Sequence, residues 1–138
     1  MLKSPPMKTR CFDHIDLRVR NMKAALPFYA QVLPAIGFTK VSGDESWMTY
    51  TAEGDGMREF FGFTEDPQHR PNETRISFWA DTPAEVDRVA AVVKEAGGKV
   101  LEGPELCVDY TPNYYAFFWE DPDGNKLEIC CRTPVTKP

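Results

Sequence analysis

The 138-residue chain has no apolar run approaching the roughly 20 residues that cross a bilayer, so no helical membrane span is expected. Met1–Thr9 also lacks the apolar core of a secretion signal. Cysteine is sparse. Cys11, Cys107, Cys130 and Cys131 form no C-x-x-C pair of the kind that marks a zinc or dithiol site. Adjacent Cys130 and Cys131 would point to opposite faces of a strand, so reduced thiols in the cytoplasm are expected. There is no glycine-rich phosphate loop, nucleophile elbow or H-E-x-x-H sequence, and Ser77 has no base at readable spacing. Positive charge is in deficit, with 16 Lys and Arg against 21 Asp and Glu, a net −5. That balance argues against a nucleic-acid footprint.

What is present is the composition of one globular domain, 42% hydrophobic and 27% charged. Residues 1–10 and 133–138, rich in proline and charge, read as tails around a domain over 11–132. A strand over Cys11–Arg20 alternates Ile15, Leu17 and Val19 with His14, Asp16 and Arg18. Asn21 can cap a helix carrying Met22, Leu26, Tyr29 and Leu33, with Pro27 as a point of weakness. Strands follow over Gly37–Val41, Trp47–Thr51 and Arg58–Phe63, punctuated by Gly43-Asp44 and Gly54-Asp55-Gly56.

Gln68–Thr74 reads as a linker, and after it the order repeats. A strand over Arg75–Ala80 alternates Ile76 and Phe78 with Arg75, Ser77 and Trp79. Thr82-Pro83-Ala84-Glu85 is a capping box that opens a helix burying Val86, Val89 and Val93, which Gly97-Gly98 stops. Strands near Lys99–Leu101, Tyr114–Trp119 and Lys126–Cys131 complete the set. His14 aligns with Arg75 at an offset of 61 and Gly37 with Gly97 at 60, which predicts two βαβββ modules, 11–67 and 75–132.

The strand faces turned away from the helices are where chemistry can sit. They carry His14 and Arg75 in corresponding positions. Glu59 and Glu128 lie in otherwise apolar closing strands at an offset of 69, and a buried carboxylate is costly without a partner. Asp121–Asn125 reads as a hairpin turn with solvated acids.

Two stretches carry a resemblance. One is Asp13-His14-Ile15-Asp16-Leu17 with Phe28-Tyr29-Ala30-Gln31-Val32-Leu33 and Gly37-Phe38. The other is Tyr114-Tyr115-Ala116-Phe117-Phe118 with Asp121-Pro122-Asp123-Gly124-Asn125-Lys126-Leu127-Glu128. Together they resemble the vicinal oxygen chelate superfamily, which includes glyoxalases, bleomycin-resistance proteins and extradiol dioxygenases. The resemblance implies an α+β fold of two βαβββ modules, a curled, mostly antiparallel mixed sheet around a cleft. It implies a divalent metal (Fe, Mn, Ni, Zn or Mg) held by His14, Glu59 and Glu128. Glu59 and Glu128 would be the catalytic carboxylates of a lyase, isomerase or dioxygenase.

Arg75 stands where much of the family has a second histidine, and a guanidinium offers only donors. It reads either as a counter-ion to the carboxylates or as an anchor for an anionic small-molecule substrate beside Trp79 and Tyr115. The alternative function is a metal-free, drug-sequestering binding protein of the same fold, and a third is a scaffold whose cleft is filled by side chains. Neither nucleic acid nor membrane is expected as a partner. Open sheets of this size in the family pair between chains, so a homodimer is expected.

Overall fold

A computed structural model describes residue 9 and residues 11–133. The expected tails otherwise lie outside the described residues. Ten elements follow in order: β1 (His14–Val19), α1 (Met22–Ile36), β2 (Phe38–Gly43), β3 (Trp47–Ala52) and β4 (Phe60–Glu65), then β5 (Arg75–Trp79), α2 (Pro83–Glu95), β6 (Lys99–Leu106), β7 (Tyr115–Glu120) and β8 (Lys126–Cys131). They form two four-stranded mixed sheets of identical topology, β1-β4-β3-β2 and β5-β8-β7-β6. In each, the first strand runs parallel to the last and the remaining pairs are antiparallel. The fold is therefore α+β, with the βαβββ unit present twice.

The local signals explain most boundaries. The Asn21 side chain accepts from the backbone N–H groups of Lys23 and Ala24 and opens α1, which runs through both Pro27 and Pro34 to Gly37 in the left-handed region. Thr82 caps α2 by accepting from the Glu85 N–H, while the Glu85 carboxylate pairs with Arg88 instead of closing the box. Three strands depart furthest from expectation, the others by one or two residues at an end where they differ. β1 starts at His14 because Cys11 has a positive φ of 72°. β4 starts at Phe60, since the Gly54–Gly56 turn carries the chain as far as Glu59. β6 runs five residues further than expected, to Leu106, past Gly103-Pro104. As an edge strand it tolerates the missing proline donor and two register shifts.

The two helices pack on each other and on the inner faces of the sheets. Tyr29 lies over Phe61 and Phe63, and Phe38 and Phe61 meet Phe78 with ring centroids 6.1 and 5.7 Å away, so one core spans both modules. No helix among the described residues is long and apolar enough to cross a membrane. Gly98, just after α2, sits against side chains of both helices. A Cβ there would sit 2.5 Å from Val93 Cγ1 and 3.0 Å from Phe28 Cε1. Valine is stiff at χ1 and cannot swing clear. Gly98→Ala is expected to destabilise the fold by about 1–3 kcal/mol through overpacking, read as a lowered denaturation midpoint. An unchanged midpoint would mean that the helices separate without cost.

Candidate functional site

Strand alternation sorts the side chains. On β1, His14, Asp16 and Arg18 are exposed while Ile15, Leu17 and Val19 turn inward. On β5, Arg75, Ser77 and Trp79 are exposed while Phe78 is buried. Because β5 pairs with β8 in the register Ser77↔Glu128, the Glu128 side chain joins the outer, polar face of the second sheet.

There Glu128 is only 4% exposed, and its two oxygens have different partners. The Tyr114 hydroxyl donates to Oε2 at 2.6 Å, and Arg75 Nη1 lies 3.8 Å from Oε1. The guanidinium rests over the Phe118 ring, 4.8 Å from its centroid. Ser77 Oγ and Cys130 Sγ are 3.4 Å apart on the same face. Burial, with hydrogen bonds to Cys130 and Glu128, pushes the Tyr114 phenol far above its ordinary range, so Tyr114 is a permanent donor.

The other expected site residues sit elsewhere. The His14 ring stacks on Phe60 at 4.5 Å, and its Nδ1 is 2.8 Å from Asp13. Glu59 accepts from Arg58 at 2.7 Å. His14 and Glu59 line one cavity of about 240 Å³ with Phe12, Phe38, Phe60 and Trp79. Trp79 is 62% exposed, donates to Asp81, and has the Arg132 guanidinium 5.2 Å from its ring. Tyr115 points the other way: its hydroxyl donates to Asp87 on α2, at 2.6 Å. The aromatic hydroxyl beside Glu128 is therefore Tyr114, one residue earlier. Inward-facing Phe117 and Trp119 mark the odd positions of this strand as the helix side, and that was the signal for it.

The offset of 69 between Glu59 and Glu128 does not survive the register. β1 pairs Asp16 with Gly62 as β5 pairs Ser77 with Glu128, so Gly62 corresponds to Glu128 and Glu59 corresponds to Asn125. His14, Glu59 and Glu128 accordingly do not converge within one chain. Among the described residues, the one trio of His, Cys, Asp or Glu whose donor atoms lie within 4.8 Å of one another is Glu102, Glu105 and Cys107, along β6. A hydrogen bond shared with Glu102, in which protonated Glu105 donates, holds the Glu105 carboxyl above its usual value there. With Tyr114 donating to one Glu128 oxygen and the Arg75 guanidinium, which has only donors, beside the other, these residues do not fit a divalent ion there.

Tyr29 and Tyr114 generate an alkaline prediction. Burial pushes the Tyr29 phenol well up, with Asp121 adding to the shift. An unfolded tyrosine ionises near pH ~10. Each folded-state value is raised, so the stability involved is fully present below that pH and is lost above it, where the unfolded chain ionises and the folded one does not. Denaturation midpoints should fall as pH rises past about 10, less steeply in Tyr29→Phe and Tyr114→Phe. Phenolate absorbance from all five tyrosines in the folded protein near that pH would contradict this.

Comparison with known proteins agrees with the fold. The model of the Glyoxalase/Bleomycin resistance protein/Dioxygenase superfamily matches residues 12–129. The virulence protein STM3117 of Salmonella typhimurium is 25% identical over 119 residues, 85% of this chain and 81% of that protein. A glyoxalase/bleomycin resistance protein from Albidiferax ferrireducens superposes with a TM-score of 0.72 at 25% identity, covering 88% of this chain and 98% of that one. A glyoxalase from Bacillus halodurans, whose own description calls that assignment provisional, gives 0.70 at 23%, covering 88% and 96%. The superfamily includes enzymes, and its members bind small molecules and often divalent metals. The duplicated βαβββ unit and the match over 12–129 place this chain in the glyoxalase/bleomycin resistance protein/dioxygenase superfamily.

Proposed function

We propose that the outer face of the second sheet binds a small ligand with an anionic group and an apolar body, without a divalent metal on His14, Glu59 and Glu128. The observation that carries this is Arg75. Its ion pair with Glu128 is 3.8 Å long, beyond hydrogen-bond range, and the side chain is 40% exposed. The guanidinium is held in place by Phe118 while its N–H donors stay available for a carboxylate or phosphonate. Tyr114 satisfies the other Glu128 oxygen, so Glu128 orients Arg75 without needing an ion. Trp79 and Ser77 extend the face.

The competing reading is a metal-dependent lyase or dioxygenase. It draws support from His14 and Glu59 lining one cavity. It requires both to meet Glu128 around one ion.

Calorimetric titration with benzoate and phenylphosphonate separates the two. Arg75→Ala is expected to lose about tenfold or more in affinity for these probes, the worth of one charge-assisted hydrogen bond. Arg75→His is expected to gain divalent-metal affinity while binding the probes less well. Equal probe binding by Arg75→Ala, together with an ion released by both His14→Ala and Glu128→Gln, would overturn the reading in favour of the enzyme.

Exposed apolar side chains, mostly in the first module, support a homodimer. Trp47 is 46% exposed and Trp79 62%, and Phe12 and Met57 are more open still. Light scattering should give twice the 15.7 kDa chain mass, and a monomer at micromolar concentration would reject it. The four unpaired thiols fit a reducing, cytoplasmic compartment.

A further inference from the structure

The turn that joins β7 to β8 does not have the solvated acids expected of a hairpin. Asp121 and Asn125 are 3% and 6% exposed, and the Asp123 side chain 9%. Both Asp121 oxygens are saturated. Oδ1 accepts from the Asp123 and Asn125 N–H groups, and Oδ2 accepts from the Tyr29 hydroxyl and Asn125 Nδ2. Asp123 is different. Arg20 donates to its Oδ1 at 2.7 Å, but Oδ2 is buried and accepts no hydrogen bond from the protein. His69 Nε2 lies 4.0 Å from that oxygen, and the same nitrogen lies 2.8 Å from Asn125 Oδ1.

We infer that His69 Nε2, Asp123 Oδ2 and Asn125 Oδ1 form a site for one first-row divalent cation, distinct from the Arg75–Glu128 face. An imidazole nitrogen, a carboxylate oxygen and an amide oxygen suit Zn²⁺, Ni²⁺ or Mn²⁺. Two atoms bound to one such ion at about 2.1 Å lie roughly 3–4 Å apart, and the separations from His69 Nε2, 2.8 Å to Asn125 Oδ1 and 4.0 Å to Asp123 Oδ2, bracket that spacing. Coordination requires His69 to carry its proton on Nδ1, so the Nε2 proton leaves that nitrogen as the ion arrives.

Charge favours the cation, because two carboxylates, Asp121 and Asp123, face a single guanidinium, Arg20. The donors are also held still. Gly124, at φ 94°, turns Asp123 and Asn125 to one side and leaves room for Pro71, whose Cγ lies 3.3 Å from where a Cβ would stand. Asp66 fixes the approach to His69 by accepting from the Gln68 and His69 N–H groups.

The test is titration of the full chain, dialysed against a chelator, with Zn²⁺ and Mn²⁺, followed by calorimetry and by melting temperature. One equivalent per chain and a raised melting temperature are expected. His69→Gln and Asp123→Asn should each weaken binding by more than about tenfold, while His14→Ala, Glu128→Gln and Cys107→Ser leave it unchanged. Asp123→Asn also strips Arg20 of its partner, so if that variant fails to fold, His69→Gln decides. No heat and no thermal shift with either ion, or binding retained in His69→Gln, would overturn this inference and leave the Arg75 reading standing. Binding lost in His14→Ala and Glu128→Gln would overturn both.

Discussion

A phenol in the first helix closes on a carboxylate in the last hairpin, 92 residues away, and the relation between the two modules depends on that contact. Burying the Asp121 carboxylate would be costly by itself. Four donors offset the cost: the Tyr29 hydroxyl, the Asn125 amide and two backbone N–H groups of the turn. Asn125 continues the lock by donating to the Arg18 carbonyl at the end of β1, and Arg20 continues it by clasping Asp123. The last hairpin is thereby tied to the first strand and helix. It adds directional bonds to the nondirectional apolar core that the two modules share.

That fixed relation decides which residues can act together. The polar face of the second sheet gathers Arg75, Ser77, Tyr114, Phe118, Glu128 and Cys130. His14 and Glu59 line a cavity that Ser77 and Trp79 also border but whose lining includes neither Arg75 nor Glu128. Placing Arg75 against a buried carboxylate changes what that carboxylate is for. A glutamate with a free outer face invites a dication, whereas one shared between a phenol and a guanidinium is already compensated and serves to aim the guanidinium.

Much of the fold is legible in the chain because its signals are local. Asn21, Thr82 and the glycine after α1 mark helix ends, and alternation on β1 and β5 separates inner from outer faces correctly. Three things escape for physical reasons. The reach of β6 is hidden by Gly103-Pro104, which reads as a break although an edge strand can absorb it. The Glu59–Glu128 correspondence depends on register, and the loop of seven residues before β4 against five before β8 shifts any alignment made by spacing. The burial of Asp121 and Asp123 is set by Tyr29, Arg20 and His69, all distant in sequence, so no local pattern announces it.

The duplication explains where the cavities are. The two helix caps, Asn21 and Thr82, share the offset of 61 seen for His14 and Arg75, which sets Tyr29 against Ala90. The hairpin registers set Thr51↔Phe60 against Glu120↔Lys126, which places Ala52 opposite Asp121. The tyrosine–aspartate pair that fills one junction is thus an alanine–alanine pair in the other. Ala52 accordingly lines an open cavity of about 460 Å³ with Phe38, Glu59, Phe78 and Trp79, next to the one that holds His14. One copy of the junction has its polar lock, and the other has alanine at both positions, Ala52 bordering the cavity and Ala90 buried. The same unit, used twice, therefore supplies rigidity at one end and space at the other.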